Sequence, residues 1–292
     1  MDWNRIAERI TVATGDPFVV EACAAVGGGC INETVRLSGK DGREFFVKLN
    51  RASRMEMFAA EAEGLREIRE SETVRVPEPI CLGVSGESAW LVLEYLPLKG
   101  ATASAPLGGA LARMHRRTAE AFGWMRNNTI GSTPQINSLS SDWIVFWREH
   151  RLGYQLRLAE RKGYSGRLLE QGERLLESFP GLFTTYQPEP SLLHGDLWSG
   201  NQAVLPSGEP VIFDPAVYYG DREAEIAMTE LFGGFSREFY AAYEEVWPLD
   251  EGYGVRRELY NLYHILNHLN LFGGGYLRQA ERMMQRLLSE LH

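Results

Sequence analysis

His194-Gly195-Asp196-Leu197-Trp198-Ser199-Gly200-Asn201 is the most informative segment of this 292-residue chain. It places an asparagine, Asn201, five residues after an aspartate, Asp196, in the order H-x-D-L-x-x-x-N. Enzymes that transfer phosphoryl groups use such an aspartate to accept the proton of the acceptor hydroxyl and such an asparagine to hold magnesium. The spacing therefore predicts that Asp196 is catalytic and that Asn201 is a metal ligand.

A second metal-binding acid is expected at the end of a strand that returns beside this segment. The apolar run Val211-Ile212-Phe213 ends in Asp214, 18 residues after Asp196 (214 − 196). The intervening residues 206–209, Pro-Ser-Gly-Glu, are typical of a hairpin turn. Asp214 is thus predicted to be the second magnesium ligand. The alternative, a surface loop with chance acids, does not account for the order of these features.

Lys48 lies inside an apolar stretch, residues 45–49, that is predicted to be a strand. A buried ammonium group needs a carboxylate partner. The helix predicted over 54–70 has an apolar stripe formed by Phe58, Ala62, Leu65 and Ile68. Glu61 lies on the same face, because residues three and four apart are neighbours on a helix. Lys48 and Glu61 are predicted to form the strand-to-helix ion pair that aligns the phosphate-binding lysine of kinases. An ordinary structural ion pair is the alternative.

Gly27, Gly28, Gly29 and Cys30 form a glycine-rich segment shortly before Lys48. Glycines allow backbone N–H groups to close over phosphates, so this segment is predicted to cover the phosphates of ATP. Asn32 stands where a G-x-G-x-x-G motif has its third glycine, which leaves an ordinary tight turn as the alternative. The sequence has no G-x-x-x-x-G-K-[ST] motif, which excludes a Walker-type kinase.

Composition narrows the class of protein. The chain has 39 acidic and 30 basic residues, a net charge of −9, which argues against a nucleic-acid partner. The N-terminus mixes charges and lacks the apolar run of a signal peptide, and no stretch has the roughly 18 apolar residues of a membrane helix. Three cysteines without CxxC spacing indicate neither a disulfide framework nor a zinc site. A cytoplasmic enzyme without membrane contact is expected.

The order of predicted elements indicates an α+β, protein-kinase-like fold with two lobes. Residues 1–97 alternate short strands with turns and include one strong helix, as in a small antiparallel-sheet lobe that binds ATP. Residues 98–292 are mostly helical and are expected to form the catalytic and substrate-binding lobe. Adenine is expected to lie at the junction, against backbone groups of Glu94 to Leu96.

Further segments resemble the fructosamine kinase (ketosamine 3-kinase) family, a relative of the aminoglycoside phosphotransferases and choline kinases. The resemblance covers nearly the whole chain. Besides Trp198 in the catalytic segment, it is carried by Gly28-Gly29-Cys30-Ile31-Asn32, Asp214-Pro215-Ala216-Val217-Tyr218-Tyr219-Gly220-Asp221-Arg222-Glu223, Leu231-Phe232-Gly233-Gly234-Phe235 and the run from Leu259 to Gly273.

The resemblance implies that ATP, with Mg²⁺, phosphorylates the 3-hydroxyl of a fructosamine, ribulosamine or similar ketosamine, free or on a protein lysine. The product is unstable and releases the amine, so the implied role is deglycation repair. Trp198 is a candidate to stack on the sugar, with a packing role as the alternative. Asp221 or Glu223 is a candidate to face the protonated amine of the substrate. Glu225 is expected to brace the catalytic segment rather than contact substrate.

Several alternatives stay open at this point. The substrate could be another small hydroxyl compound, such as an aminoglycoside, choline or homoserine, or the chain could be a catalytically silent binding module. His264 and His268, four apart on a helical pattern, are expected to pack rather than to hold a metal. The chain is expected to be a monomer or a homodimer linked through Cys30, because a thiol in the glycine-rich segment would be open to oxidants and the resemblance points the same way.

Overall fold

The structure is a computed structural model that describes residues 2–27, 31–100 and 104–291. Its strands are β1 Val20–Ala25, β2 Glu33–Gly39, β3 Glu44–Arg51, β4 Pro79–Ser85, β5 Ser88–Glu94, β6 Asn128–Ile130, β7 Thr133–Gln135, β8 Ser191–Leu193, β9 Gln202–Val204, β10 Pro210–Ile212 and β11 Tyr218–Gly220. Its α-helices are α1 Trp3–Thr14, α2 Met55–Glu70, α3 Ala105–His115, α4 Trp143–Phe146, α5 Gly153–Arg161, α6 Arg167–Ser178, α7 Arg222–Leu231, α8 Arg237–Val246, α9 Tyr253–Phe272 and α10 Leu277–Glu290. A π-helical turn, Trp147–Leu152, follows α4.

The chain divides into two compact units. The first comprises Met1–Ala101 and Gln202–Pro215, and the second comprises Thr102–Asn201 and Ala216–His292. This division differs from the one predicted from sequence, which ended the first lobe at residue 97 and gave it no later residues. The difference arises because the β9–β10 hairpin pairs with the first unit: Lys99 and Val204 exchange backbone hydrogen bonds, and the Ile212 amide donates to the Arg75 carbonyl at 3.0 Å.

The first unit is built on a five-stranded antiparallel sheet in the order β1-β2-β3-β5-β4. Successive side chains of a strand point to opposite faces of its sheet. On β3, Phe45, Val47 and Leu49 enter a core shared with Ile6 and Ile10 of α1. Lys48 therefore faces the opposite side of the sheet. Helix α2 packs on β4 and β5 and begins one residue after the predicted boundary.

The second unit is mostly helical. Helix α9 is its centre: it packs against α7, α5 and α10, and 12 of its 20 residues are buried. Trp143 and Trp147 contact Tyr260 of α9 and form an aromatic core. The strand β8 precedes the catalytic segment and pairs with β11 in an antiparallel ladder. The predicted α+β class, with a small antiparallel sheet and a helical remainder, is confirmed.

Within the described ranges, no helix combines the length and apolar character needed to cross a membrane.

Candidate active site

The predicted site residues fall into two sets, one in each unit. The first unit contains Gly27, Lys48, Glu61, Glu94, Leu96 and Asp214. The second unit contains Asp196, Trp198, Asn201, Asp221 and Glu223. Gly28, Gly29 and Cys30, which were predicted to cover the phosphates, lie outside the residues that the structure describes.

Lys48 is the centre of the first set. Its side chain is only 5% exposed, and its ammonium group donates to the carboxylates of both Glu61 and Asp214. The predicted ion pair between β3 and α2 is therefore confirmed. The second bond was not predicted, because the sequence indicated only a metal-binding role for Asp214. The Asp214 side chain is 46% exposed, so this carboxylate stays open to a ligand.

Charge explains why this lysine stays ionised. Burial alone would lower the pKa of Lys48, but the carboxylates of Asp214 and Glu61 outweigh it and raise the pKa above its ordinary value. Burial, only partly offset by the attraction of Lys48, raises the pKa of Glu61. Two carboxylates share one ammonium group here. With both carboxylates ionised, the cluster has a net negative charge and can accept a further cation.

The backbone of Asp214 is unusual. Its φ of 59° lies in the left-handed region, which among the non-glycine residues of the described ranges is shared only with Glu72. For a non-glycine residue such a conformation costs about 1–3 kcal/mol, and residues that adopt it cluster at functional sites. The turn comes two residues after β10 ends at Ile212.

The described residues on either side of the glycine-rich segment form the ends of the β1–β2 hairpin. Val26 and Thr34 close it, with the Val26 amide donating to the Thr34 carbonyl at 3.0 Å and the Thr34 hydroxyl donating to the Val26 carbonyl at 2.7 Å. The side-chain Nδ2 of Asn50, on β3, donates to the side-chain oxygen of Asn32 at 2.7 Å. Gly27 is exposed, and a side chain there would meet no atom within 4 Å. The loop is thus held at both ends by described residues.

Glu94 ends β5 and is used structurally. Its side chain accepts from the Arg75 guanidinium and from the Glu78 amide, and its own amide donates to the Glu78 carbonyl at 2.8 Å. The Leu96 carbonyl accepts from the Leu98 amide at 2.8 Å. The expected adenine contact at Glu94 to Leu96 stays a prediction.

In the second unit, Glu225 of α7 braces the catalytic segment. Its carboxylate accepts the backbone N–H of Gly195 at 2.7 Å, that of His194 at 3.1 Å and the Nε2 of His115 at 2.8 Å. Burial would raise the pKa of Glu225, but its interactions with His115 and His194 and the hydrogen bond from the Gly195 backbone outweigh it and lower the pKa. Glu225 therefore stays ionised while fully enclosed, and the bracing role expected of it is confirmed.

Gly195 has a steric reason to lack a side chain. Its φ is +83°, and a Cβ built there would lie 2.1 Å from the Ala216 carbonyl oxygen. The Ala216 amide donates to the His194 carbonyl at 2.8 Å, so the segment after Asp214 runs directly against the catalytic segment. The arginine that protein kinases place at this point has no room here.

Asn201 closes the catalytic segment on itself. Its side-chain Nδ2 donates to the Asp196 carbonyl at 2.8 Å, and its amide donates to the Trp198 carbonyl at 3.0 Å. The NH₂ group of Asn201 is thus used within the segment, and its predicted role as a metal ligand stays a prediction. Asp196 itself is half-buried.

Asp221 and Glu223 do not occupy a pocket mouth, and the expectation that one of them faces the substrate amine is corrected. Both are completely buried. Asp221 caps α7 by accepting the Glu223 amide at 2.9 Å and also accepts the hydroxyls of Tyr186 and Tyr260. Glu223 forms a two-point ion pair with Arg256, at 2.7 and 3.0 Å. Either carboxylate would lose its own bonds if it turned toward a substrate.

Trp198 remains accessible. Its side chain is 38% exposed, two residues after Asp196. The indole lies against Gly200, where a Cβ would be 2.3 Å from Cη2 of the ring. One part of the ring contacts the Gly200 backbone and another part is exposed to solvent. This placement is compatible with stacking on a sugar and with a packing role. Its predicted contact with the sugar stays a prediction.

Sequence reasoning missed His115, the last residue of α3. It is fully buried and connects Glu225 to the Tyr243 hydroxyl, which lies 2.7 Å from its Nδ1. The available signal was a histidine at the end of an apolar helical stretch, which does not identify a partner 110 residues away. His264 packs edge-on against Tyr263 with a centroid distance of 5.0 Å, as expected for a helix-packing residue.

Comparison with known proteins gives a consistent result. The model of the family described as Fructosamine kinase matches residues 2–290. A "Probable ketoamine kinase" of Synechocystis is 48% identical over 289 residues, covering 98% of this chain and 97% of that protein. The chloroplastic protein-ribulosamine 3-kinase of Arabidopsis thaliana is 45% identical over 281 residues, covering 95% of this chain and 86% of that protein.

Solved structures agree. A crystal structure from Thermobifida fusca, described as a fructosamine-3-kinase, superposes with a TM-score of 0.84 at 32% identity and covers 98% of this chain and 99% of that chain. The amicoumacin kinase in complex with AMP-PNP superposes with a TM-score of 0.59 at 13% identity, covering 99% of this chain and 94% of that one. The second likeness shows the fold alone.

Proposed function

Since the chain belongs to the fructosamine kinase family, we propose that it transfers the γ-phosphoryl group of ATP to the 3-hydroxyl of a ketosamine of the fructosamine or ribulosamine type. The observation that carries the proposal is the catalytic segment held by Glu225, in a chain that the family matches over nearly its whole length. A silent binding module would have no need of the Lys48 cluster and the braced Asp196 together.

Asp196 has the central chemical task. Its carboxylate orients the 3-hydroxyl toward the phosphorus and accepts its proton as the new O–P bond forms and the bond to ADP breaks. The hydrogen bonds from His194 and Gly195 to Glu225 fix the backbone immediately before Asp196. Rigid placement of a reacting group lowers the entropic part of the barrier, which is why the brace matters.

Lys48 supplies positive charge to the phosphates of ATP, and Glu61 keeps its ammonium group in place. Asp214 and Asn201 would hold Mg²⁺, since both present an oxygen, the donor that Mg²⁺ prefers, and Asn201 has already used its NH₂ group. When bound, the ion neutralises charge on the phosphate oxygens. Transfer is direct, without a covalent intermediate on the enzyme.

The product determines the biological role that we propose. A ketosamine 3-phosphate is unstable and releases its amine, so phosphorylation reverses glycation. Free ketosamines and glycated lysines of proteins both carry the required hydroxyl. A cytoplasmic location, expected from sequence, stays a prediction.

The test is an acceptor panel with the purified enzyme, ATP and Mg²⁺. ADP release is measured with ribulose-lysine, fructose-lysine, kanamycin and choline, and the phosphorylated carbon is assigned by ³¹P and ¹H NMR. We expect turnover with one or both ketosamines and phosphate on the 3-oxygen. Turnover confined to kanamycin or choline, or none with any acceptor, would contradict the proposal.

A further inference from the structure

A row of aromatic rings extends from the catalytic segment to the end of α9. The Trp198 and Phe232 centroids are 6.5 Å apart, and those of Phe232 and His268 are 4.8 Å apart. His268 is also flanked by Phe272 at 5.5 Å and Tyr276 at 5.2 Å. We call these five residues the aromatic strip. All belong to the second unit.

The strip is open at the surface. Trp198 is 38% and Phe272 is 67% exposed, and the other three members are half-buried. Single exposed apolar residues need no explanation, but contiguous ones indicate a binding surface. Trp198 is two residues after Asp196, so the strip begins within the catalytic segment.

His268 contributes a hydrogen-bond acceptor to the strip. Its Nδ1 is 2.8 Å from the His264 carbonyl oxygen, which can only accept, so Nδ1 carries the hydrogen. Burial lowers the pKa of His268, so the ring is neutral near pH 7 and its Nε2 has a free lone pair. Within the described ranges, no protein group donates to that Nε2.

No carboxylate of the neighbouring helix is free to take a cation. The four acids between Asp221 and Glu230 all have partners: Asp221 caps α7, Glu223 pairs with Arg256, Glu225 holds the catalytic segment, and Glu230 bonds to Arg257 and Tyr253. The amine of a substrate therefore finds no unpartnered carboxylate on α7.

We propose that the aromatic strip receives the protonated amine of the ketosamine, with His268 Nε2 accepting its N–H. The faces of Trp198 and Phe232 attract the positive charge, as aromatic rings do for ammonium groups. The neutral imidazole supplies the directional contact without adding a charge that would have to be desolvated. This inference rests on the proposed function and assigns the subsite that selects amine-bearing sugars.

The first test compares acceptors across variants. His268→Phe keeps a ring but removes the acceptor, and we expect kcat/KM for fructose-lysine to fall about 10-fold to 100-fold, the usual effect of losing a hydrogen bond to a charged group. Activity on plain fructose, which has no amine, should change little. His268→Gln returns an acceptor near the former Nε2 and should restore most of the preference for the amine. His150→Phe is the matched control, because His150 lies in the π-helical turn, outside the aromatic strip, with its ring edge-on to Phe146 of α4.

Equal losses on fructose-lysine and fructose in His268→Phe would overturn the inference, since they would indicate a general packing role. Absence of turnover in the wild-type enzyme would instead contradict the proposed function, so the two failures are distinguishable.

The second test needs no variant. Full methylation of the fructosamine nitrogen keeps the positive charge but removes every N–H. We expect the KM of the wild-type enzyme for this analogue to rise at least about 10-fold relative to the secondary amine. An unchanged KM would show that N–H donation to His268 does not occur.

Discussion

At the scale of the residue, the catalytic segment shows how closely steric and chemical demands are joined. In the proposed mechanism Asp196 accepts the hydroxyl proton, and two of its neighbours help to hold the backbone of the segment: Gly195 fits beneath the Ala216 carbonyl, and Asn201, besides its proposed metal role, bonds back to the Asp196 carbonyl. A change of the Asp196 carboxylate is expected to alter the reaction, whereas a change of Gly195 is expected to alter the backbone packing that holds the segment. The two kinds of substitution should therefore separate experimentally.

Asp196→Asn should lower kcat by at least about 100-fold, because it removes the group that accepts the hydroxyl proton. The side chain keeps its size, so the melting temperature and the affinity for ATP should be nearly unchanged. Steady-state kinetics, differential scanning fluorimetry and calorimetric ATP titration check these three quantities. Wild-type turnover in this variant would show that another group accepts the proton.

Gly195→Ala should destabilise the protein and reduce activity, because its Cβ would lie 2.1 Å from the Ala216 oxygen at a φ of +83°. Gly163→Ala is the control, because its φ is +90° and nothing lies within 4 Å. In the control only the positive φ destabilises the protein, by about 1 kcal/mol of unfolding free energy. We expect Gly195→Ala to lose roughly 1–3 kcal/mol more, measured by urea unfolding. Equal losses would mean that Ala216 moves aside at no cost.

At the scale of the element, helix α9 combines packing with function. It supplies Arg256 to the buried Glu223, Tyr260 to the Asp221 cap and His268 to the aromatic strip. Most of its residues are buried, including His264, for which burial, with help from His268 and Arg151, lowers the pKa to about 3. A buried neutral histidine makes the stability of the unit depend on pH.

The sign follows from proton binding. With an ordinary pKa of 6.5 in the unfolded chain and about 3 in the fold, His264 binds a proton below pH 6.5 only when the chain unfolds. Stability is therefore lost as pH falls below 6.5, by about 1.4 kcal/mol between pH 7.5 and 5.5. His264→Phe keeps a ring against Tyr263 and should remove that part of the pH dependence. Urea unfolding of both proteins at the two pH values measures the difference, and equal pH dependence would contradict it.

What sequence could predict at this scale depended on distance along the chain. Asp196 and Asn201 are five residues apart, and Glu61 lies on one helical stripe, so spacing alone singled them out as candidates, and the structure confirms the contact of Glu61 with Lys48. Asp221 and Glu223 were misassigned because their partners, Tyr260 and Arg256, lie more than 30 residues away on α9. Hydropathy cannot distinguish a carboxylate buried with an arginine from one at a pocket mouth. The His115–Glu225 contact was out of reach for the same reason.

At the scale of the whole molecule, neither unit is a continuous stretch of chain. Residues 202–215 return to the first unit between two parts of the second. The predicted boundary at residue 97 missed this, because strand pairing between Lys99 and Val204 has no signature in either segment alone. The position of the hairpin gives Lys48 its second carboxylate.

Residues 1–101 alone should be less stable than the same residues joined to 202–215 by a short Gly/Ser linker. The hairpin pairs with Lys99 and Arg75 and covers their backbone groups, and Asp214 completes the Lys48 cluster. Hydrogen exchange of β3 and β5 in the two fragments measures the difference. Asp214→Ala in the linked fragment tests the lysine contact separately. Equal protection in both fragments would show that the hairpin adds no stability to the first unit.

The Lys48–Asp214 contact can form only late in the synthesis of the chain. These residues are 166 positions apart, so at about 5–20 residues per second the ribosome adds Asp214 roughly 8–33 s after Lys48. Until then Glu61 is the only one of the two carboxylates available to the ammonium group. The nascent first unit therefore lacks the Asp214 carboxylate while residues 102–201 of the second unit are being translated. During that interval Lys48 lacks one of the two carboxylates that hold it in the folded protein.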